Sequence, residues 1–351
     1  MSKKQIKAAI LGATGYGGIE LLRILSKHQN VEIVAASSEN SAGKKLSSVY
    51  PHLTLCHDIK LKKMEDVIAV DDLDVVFCAL PNGQAMTVAE RVLKNSVLID
   101  LSADFRLKDI KTHASFYKMV HDSPHLVGDA VYGIPELYRD EIKSARLIAN
   151  PGCYPTSILL ALVPLLEAGS IEIEGIVVDS KSGVSGAGRT ALKTPYLYAE
   201  SNETLSAYAI GTHRHTPEIE QQLSIVGAGQ AVITFTPHLT PMTRGIFSTC
   251  YAKLVDEKTT NNDLLEIYND KYFECSFIKV LDIETLPQTK WAQGSNNAFI
   301  TARIDRRAGR VITLSTIDNL GKGMSGQAVQ NMNIIFDLPE DTGLFNLAMY
   351  P

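Results

Sequence analysis

The chain has 351 residues, and at roughly 150 residues per domain this length predicts two domains with separate cores. Hydrophobic residues make up 45% and charged residues 21%, which excludes a disordered or collagenous chain, and the net charge of −5 with scattered basic residues argues against a nucleic-acid partner. No run of about 18 apolar residues is present to span a bilayer, and the first residues lack a signal-peptide pattern, so we expect a cytoplasmic protein without a membrane partner.

The first half of the chain alternates short apolar runs with helical patterns. Between the first two runs, Ile19, Leu21, Leu22 and Leu25 recur at helical spacing. Continuous apolar runs are typical of parallel strands covered on both faces, and their alternation with helices predicts a doubly wound α/β domain. The predicted strands are Ile6–Leu11, Val31–Ser37, Val75–Leu80, Val97–Leu101 and Leu147–Ala149.

A glycine-rich loop follows the first strand directly. Residues 12–18 read Gly-Ala-Thr-Gly-Tyr-Gly-Gly, and a helix begins near Ile19. Glycines let the backbone turn tightly and approach a pyrophosphate, whose charge binds to free N–H groups and to the positive end of the helix. The strand before the loop and the helix after it are the context that this motif requires. We therefore predict a dinucleotide at Gly12, Thr14, Gly15, Tyr16, Gly17 and Gly18.

The end of the second strand distinguishes NAD from NADP, because an acidic residue there would accept a hydrogen bond from the ribose 2′-OH of NAD. This strand instead ends in Ser37. Ser38 follows directly, and Lys44 and Lys45 follow a few residues later. Hydroxyls and lysines suit a 2′-phosphate, so NADP(H) is the predicted cofactor. Glu39 is an unfavourable neighbour for that phosphate unless its side chain points away.

Cys153 stands in the segment Asn-Pro-Gly-Cys-Tyr-Pro, in a turn just ahead of an apolar helical run. The dipole and the unpaired N–H groups of a helix N-terminus favour thiolate over thiol, and the same N–H groups can hold the oxyanion of a tetrahedral intermediate. Cys153 is therefore the predicted nucleophile. We expect Pro164 to kink or end the helix that follows.

The remaining cysteines carry no catalytic pattern. Cys78, Cys250 and Cys275 lie among strand or helix residues and are predicted to be small core hydrophobes. Cys56 and His57, with His52 four residues before Cys56, are residue types that bind metals, but no further cluster of such residues accompanies them. We therefore predict no metal site.

After about residue 170 the strands become longer and alternate in polarity, which predicts an antiparallel or mixed sheet. Residues 306–309 form the turn of a predicted hairpin, and this turn contains the glycine that such turns need. A last helical pattern over Gly323–Asp337 places Ala328, Met332 and Ile335 on one stripe, and we expect this helix to rejoin the first domain. The predicted strands are Gly175–Ser180, Gln230–Thr236, Ile246–Leu254, Phe277–Asp282, Phe299–Asp305 and Val311–Thr316.

Two histidines are candidates for proton transfer to and from the thiolate. His213 and His215 precede a helix start that Thr216 marks as N-cap and Pro217 as first helical residue. We expect both histidines to lie in extended chain and on the same side. We favour His213 over His215 as the acid/base because His215 lies closer to the cap of the helix.

A second glycine-rich loop at residues 182–189 is either an anion-binding loop or a flexible turn.

Taken together, these motifs resemble the N-acetyl-γ-glutamyl-phosphate reductase family of arginine biosynthesis, over essentially the whole chain and in order. The resemblance rests on the glycine loop, the Cys153 segment and the His213 segment. It also rests on four further segments, residues 102–107, 132–137, 182–189 and 318–323.

The resemblance implies a Rossmann domain over residues 1–152, which the C-terminal helix in residues 320–351 rejoins. Residues 153–319 would form an α+β catalytic and dimerisation domain of the glyceraldehyde phosphate dehydrogenase-like type, in a homodimer or homotetramer. The implied reaction is NADPH-dependent reduction of N-acetyl-L-glutamyl 5-phosphate to N-acetyl-L-glutamate 5-semialdehyde and phosphate through a Cys153 thioester.

The resemblance also implies roles for individual residues. Arg106 and Arg214 would bind the carboxylate or phosphate of the substrate, since guanidinium groups match both anions. The nicotinamide would be lined by Pro81, Ser182, Gly183 and Asn319.

Three other functions compete with this interpretation. A reductase of carrier-bound aminoadipyl phosphate or of aspartyl phosphate would share the chemistry and differ in its pocket. A cysteine hydrolase would let water attack the acyl-enzyme, but the loop at Gly12 argues against it. A non-catalytic NADP-binding regulator would not need the turn at Cys153 or the segment at His213.

Overall fold

A computed structural model of the chain describes residues 5–55, 58–189, 193–227 and 229–350. The described residues form two compact units. One unit is drawn from Met1–Pro151 and Met324–Phe345, and the other from Gly152–Gly323 and Asn346–Pro351. Cys56 and His57, which were considered as metal ligands, lie outside the described residues.

The first unit contains a six-stranded sheet with the order β2-β1-β3-β4-β6-β5, in which every pairing is parallel. The doubly wound α/β prediction is thus confirmed, and all five predicted strands are present. The added strand, β5, has two residues, too few to give a pattern in the sequence. The strands are β1 (Ile6–Leu11), β2 (Val31–Ala36), β3 (Val75–Cys78), β4 (Val97–Asp100), β5 (Val131–Tyr132) and β6 (Leu147–Ala149).

The second unit contains a seven-stranded sheet with the order β11-β12-β13-β10-β7-β9-β8. Parallel and antiparallel pairings both occur, which confirms a mixed sheet. The β12–β13 hairpin closes at Gly309, whose φ of +61° is the left-handed conformation that glycine favours. The strands are β7 (Val177–Gly183), β8 (Ser206–Ala207), β9 (Thr234–Thr240), β10 (Ile246–Lys253), β11 (Ile278–Val280), β12 (Ala298–Asp305) and β13 (Arg310–Ile317).

The predicted position of β9 is wrong by four residues. Its alternating burial runs past Pro237 to Thr240, whereas the predicted strand ended at Thr236. β9 lies second from the edge of its sheet, and its outer neighbour β8 pairs only with Leu239 and His238. A proline is tolerated near a sheet edge, where its missing N–H group interrupts little of the ladder.

Helices flank the sheets of both units. In the second unit, the long helix α7 packs against β10 and β13, and its side chains from Tyr154 to Leu166 are buried. It continues through Pro164 to Glu167, so the expected end of the helix at the proline is wrong. The helices are α1 (Tyr16–Leu25), α2 (Leu46–Val49), α3 (Met64–Ile68), α4 (Ala85–Leu93), α5 (Ile110–Tyr117), α6 (Pro135–Lys143), α7 (Cys153–Glu167), α8 (Tyr198–Ser201), α9 (Thr216–Val226), α10 (Asn261–Tyr272) and α11 (Gly326–Ile335). None of the described helices is both long enough and apolar enough to cross a membrane.

The last helix, α11, packs against α1 and α6 within the first unit. Its residues 326–334 are buried on every side, whereas the sequence predicted a single apolar stripe. The polar side chains are buried because they bond to other parts of the unit. Asn331 Nδ2 donates to the Gly133 carbonyl at 2.9 Å, and Asn333 Nδ2 donates to the Glu340 carbonyl at 3.0 Å.

Candidate functional site

The glycine loop between β1 and α1 is shaped by contacts that leave no room for side chains. Gly12 has φ +82°, and a Cβ there would overlap the carbonyl oxygen of Ala79. A Cβ on Gly18 would overlap the carbonyl oxygen of Gly12. Helix α1 begins at Tyr16 without a side-chain cap at Gly15. The loop therefore presents backbone and a helix N-terminus, which is the arrangement that binds a pyrophosphate.

The segment after β2 places the side chains that were predicted to recognise the ribose. Ser38 is buried, with its Oγ 2.9 Å from Thr14 Oγ1, and Lys44 is exposed. The Glu39 carboxylate accepts the Met64 N–H at 2.9 Å and lies 3.1 Å from Lys63 Nζ. These two contacts lower the pKa of Glu39, the backbone hydrogen bond contributing more. Glu39 is thus engaged with the start of α3.

Pro81 lies at the carboxyl end of β3, the strand next to β1. The turn it begins is held by Asp104, whose carboxylate accepts the N–H groups of Gly83 at 2.7 Å and Met86 at 3.1 Å. In a doubly wound sheet the carboxyl ends of the strands form the ligand crevice. Pro81 and the glycine loop therefore share one edge of the sheet.

Arg106 is buried and directs its guanidinium to the backbone. Nε donates to the Asn150 carbonyl at 2.8 Å, and Nη2 donates to the Leu101 carbonyl at 3.0 Å. Nearby, burial and then the charge of Asp104 raise the pKa of Asp100 to about 7, and the positive charge of Arg106 acts in the opposite direction. These contacts favour a structural role for Arg106 at the ends of β4 and β6 over the substrate contact that the resemblance implied.

Cys153 is the first residue of α7 and is half-buried. The N-cap position before it belongs to Gly152, which has no side chain to cap the helix. The Gly152 N–H donates instead to Glu218 Oε1 at 2.8 Å, and the Glu218 side chain is fully buried. On another side, a Cβ on Gly323 would lie 2.8 Å from Cys153 Cβ. The predicted nucleophile is thus fixed by packing at a helix N-terminus, where a thiolate is favoured.

His215 lies directly against the turn that carries Cys153. A Cβ built on Gly152 would come within 2.5 Å of His215 Nε2, so glycine is required there for the ring to approach. His215 occupies the cap position of α9 with helical φ −80° and ψ −13°. The expectations of extended chain at this residue and of Thr216 as N-cap are therefore wrong, since the helix begins one residue earlier.

His213 lies behind His215, enclosed by aromatic rings. Its ring centroid is 4.9 Å from that of His215, 5.6 Å from Tyr154, 5.4 Å from Tyr208 and 5.2 Å from Phe235. Its Nδ1 accepts the His215 backbone N–H at 3.0 Å. Burial, and secondarily the charge of Arg214, lowers the pKa of His213 to about 4. His213 is thus neutral at pH 7, and its Nδ1 is used to hold His215.

The glycine-rich loop after β7 is tied to the loop before β10. A Cβ on Gly183 would lie 2.8 Å from the backbone of Thr243, and Ser182 is buried beside it. Asn319 joins the two loops, because its Oδ1 accepts the Gly245 N–H at 2.8 Å and its Nδ2 donates to Ser185 Oγ at 2.9 Å. The contacts fix this loop in place, which argues against the flexible turn.

Two of the other described cysteines are more deeply buried than Cys153. Cys78 and Cys250 are completely buried, as predicted. Burial raises the pKa of Cys250 to about 12 and that of Cys78 well above its ordinary value. Cys275 is half-buried, so its placement in the core is wrong.

Glu218 is a residue of this site that the sequence motifs did not identify. It follows His215 by three residues, so both side chains lie on one face of the first turn of α9. That i, i+3 spacing is the signal that could have placed Glu218 beside the Cys153 turn. Arg214, between the two histidines, is exposed.

Comparison with known proteins assigns the chain to a family. Its residues 7–145 match the semialdehyde dehydrogenase NAD binding domain, and residues 153–319 match the semialdehyde dehydrogenase dimerisation domain. The chain is 50% identical to the N-acetyl-gamma-glutamyl-phosphate reductase of Pelotomaculum thermopropionicum over 99% of both chains. It is 48% identical to the reductase of the same name from Desulforamulus reducens, over 99% of this chain and 100% of that one.

Solved structures show the same fold at lower identity. Aspartate semialdehyde dehydrogenase II of Vibrio cholerae, complexed with ASA, matches with a TM-score of 0.72 at 18% identity, over 95% of this chain and 99% of that one. Aspartate semialdehyde dehydrogenase with NADP from Candida albicans matches with a TM-score of 0.70 at 16% identity, over the same shares. The identity with the curated relatives decides the assignment: the chain belongs to the N-acetyl-γ-glutamyl-phosphate reductase family of semialdehyde dehydrogenases.

Proposed function

We propose that this protein reduces N-acetyl-L-glutamyl 5-phosphate to N-acetyl-L-glutamate 5-semialdehyde and phosphate in arginine biosynthesis, with NADPH as reductant and Cys153 as nucleophile. The observation that carries the chemistry is the half-buried Cys153 at the start of α7, with the His215 ring pressed against the preceding Gly152. The relatives of this name, nearly half identical over the full length, support the choice of substrate.

The described residues fit a nicotinamide dinucleotide, which supplies the hydride when it is bound. The close contacts at Gly12 and Gly18 leave a backbone cradle that any Cβ would fill. NADP rather than NAD is supported by Ser38, by exposed Lys44 and by the engagement of Glu39 with α3. We assign the pyrophosphate and ribose contacts to Gly12, Thr14, Gly15, Tyr16, Gly17, Gly18, Ser38 and Lys44, and the nicotinamide contacts to Pro81, Ser182, Gly183 and Asn319.

Cys153 acts first. Its thiolate attacks the acyl carbon, the bond from that carbon to the phosphate oxygen breaks, and phosphate leaves a thioester on the protein. The N–H groups at the start of α7 stabilise the oxyanion of the tetrahedral intermediate. The thioester carbon would accept hydride from a bound nicotinamide, and the hemithioacetal on Cys153 would then collapse to the aldehyde and the thiolate. The proton that the thiol gave up to form the attacking thiolate would be returned to sulfur by the acid/base.

His215 is the acid/base in this proposal, and His213 positions it. The preference from sequence for His213 changes because His215 is the ring that touches the Cys153 turn. His213 accepts the His215 N–H through Nδ1 and is enclosed by aromatic rings, which suits a neutral support better than a proton carrier. Exposed Arg214 remains the candidate for binding the carboxylate or phosphate of the substrate, whereas the buried contacts of Arg106 support a structural role.

We further propose a homo-oligomer, at least a dimer, in which a second copy covers the open face of the mixed sheet. One face of β7, β9, β10 and β13 is buried, whereas alternate residues on the other face stay half-exposed. Among them are the apolar side chains of Phe247, Tyr251, Ile312 and Leu314, and neighbouring exposed apolar side chains are typical of protein–protein interfaces. The residues from 153 to 319 would form this catalytic and oligomerisation domain, and residues 1–152 with 320–351 the dinucleotide-binding domain.

The test is phosphate-dependent reduction of NADP⁺ by N-acetyl-L-glutamate 5-semialdehyde, measured beside aspartate semialdehyde. We expect turnover with the first substrate, dependence on phosphate, and loss of turnover in Cys153→Ala. A higher kcat/KM with aspartate semialdehyde, or turnover without phosphate, would contradict the proposal.

A further inference from the structure

Asp318 lies directly after β13 with a fully buried carboxylate. Its Oδ1 accepts the N–H groups of Leu320 at 2.8 Å and Gly321 at 3.0 Å. Its Oδ2 accepts the Gly294 N–H at 2.6 Å and lies 3.0 Å from Arg244 Nε. A single side chain thus fixes the turn after β13 to two other loops of the second unit.

The turn that Asp318 fixes forms one side of the nucleophile's surroundings. The Asp318 carbonyl accepts the Gly323 N–H at 2.9 Å. A Cβ on Gly323 would lie 2.8 Å from Cys153 Cβ and 3.3 Å from Cys153 Cα. On the opposite side of the turn, a Cβ on Gly321 would overlap the Ser295 carbonyl oxygen. The turn is therefore confined between the 294–295 backbone and Cys153.

The next residue extends the same network to the glycine-rich loop after β7. Asn319 holds Gly245 and Ser185 through its amide, and Arg244 in the adjoining position pairs with Asp318. The backbone of Gly183 donates to the Gly245 carbonyl at 2.9 Å. All of these contacts depend on two neighbouring residues, Asp318 and Asn319. A change at Asp318 therefore displaces the turn at Gly323 and at the same time loosens the loop that contains Arg244.

We propose that Asp318 is a positioning residue for the thiol chemistry, which holds the Gly321–Gly323 turn against Cys153. This inference rests on the proposed function only in taking Cys153 as the nucleophile. Asp318 does not touch the reacting atoms. It acts by fixing the position of the Cys153 side chain, and hence its distance to the acyl carbon.

Asp318→Asn is the first variant to measure. An amide has one accepting oxygen, so it cannot accept from donors on both sides as the carboxylate does, and its NH₂ group faces a donor. We expect kcat to fall by about 10²-fold, the size of effect that a displacement of ~1 Å produces. Cys153 should be alkylated faster by iodoacetamide, because Gly323 no longer covers it.

Two buried cysteines distinguish positioning from unfolding. Cys78 and Cys250 are completely buried, so in a folded variant they should stay unreactive while Cys153 reacts faster. The matched control is Asp282→Asn, because this exposed carboxylate also accepts two turn N–H groups, at 2.8 and 3.0 Å, in the same unit. The control should leave kcat and Cys153 alkylation unchanged.

The proposal is overturned if Asp318→Asn keeps both kcat and the Cys153 alkylation rate within about twofold of the wild type. If Asp318→Asn exposes Cys78 and Cys250, the variant has lost its fold and Gly323→Ala becomes the test of the proposal. Gly323→Ala disturbs the contact between the turn and Cys153 while leaving the hydrogen bonds of the Asp318 carboxylate intact. Gly323→Ala should lower kcat with both buried cysteines protected, and wild-type kcat in that variant would overturn the proposal. Alkylation needs no substrate, so a wild-type protein without reductase activity would refute the proposed function and still leave this inference testable.

Discussion

Gly152→Ala tests whether His215 is the acid/base, because it moves that ring and little else. The new Cβ would lie 2.5 Å from His215 Nε2, whereas ordinary van der Waals contact begins at 3.4 Å. The ring must therefore withdraw by about 1 Å, and a misplacement of that size costs about 10²-fold in rate. Gly152 has φ −66°, so alanine adds no backbone strain, and its N–H can still donate to Glu218.

The assay is kcat for phosphate-dependent NADP⁺ reduction, with the unfolding midpoint measured on the same samples. Gly128→Ala is the matched control, since a Cβ at Gly128 meets nothing within 4 Å. We expect a fall of about 10²-fold in kcat for Gly152→Ala, with little change in stability and no change in the control. Wild-type kcat in Gly152→Ala would refute the assignment of proton transfer to His215.

The remaining predictions concern the histidines, the cofactor and the nucleophile. His215→Asn should lower kcat by about 10²–10⁴-fold, more than His213→Asn does; the opposite order in steady-state kinetics would return the role to His213. The pKa of His213 is lowered to about 4 in the folded protein, against an ordinary value of 6.5. As the pH drops, the unfolded chain therefore binds a proton at His213 before the folded protein does. The free energy of unfolding should fall between about pH 6.5 and pH 4 for this reason, by up to about 3 kcal/mol. Comparing urea unfolding of wild type and His213→Asn across this range should show a smaller pH dependence in the variant. NADPH should have a higher kcat/KM than NADH, and an equal or reversed ratio would mean that Glu39 controls the ribose site. Acyl phosphate without NADPH should leave a covalent acyl mass on the Cys153 peptide, and its absence in intact-mass spectra would rule out the thioester.

The first sheet could be predicted from sequence because its strands are buried on both faces. β1 and β6 have the predicted bounds, since each is a short run, apolar except for Lys7, between polar or glycine residues. A two-residue strand such as β5 leaves no such run. For α11 the pattern of apolar residues was visible, but its burial on all sides depends on amide partners such as Gly133 and Glu340, which are distant in the sequence.

The candidate site was predictable only where a motif and its local structure coincide. The position of Cys153 ahead of a helix follows from its neighbours in sequence. The choice between His213 and His215 does not, because it depends on which ring meets Gly152, more than 60 residues away. Asp318 belongs to a segment that carries the family resemblance, but its bonds to backbone N–H groups of other loops could not be read from that segment.

The packing of α11 into the first unit has a consequence for biosynthesis on the ribosome. Residues 324–345 complete a unit whose other part ends at Pro151, so that part emerges while the partner helix is still unmade. Translation of the intervening segment, at roughly 5–20 residues per second, takes on the order of 10 s. During this interval the surfaces of α1 and α6 that α11 later covers are open to chaperones and to neighbouring nascent chains.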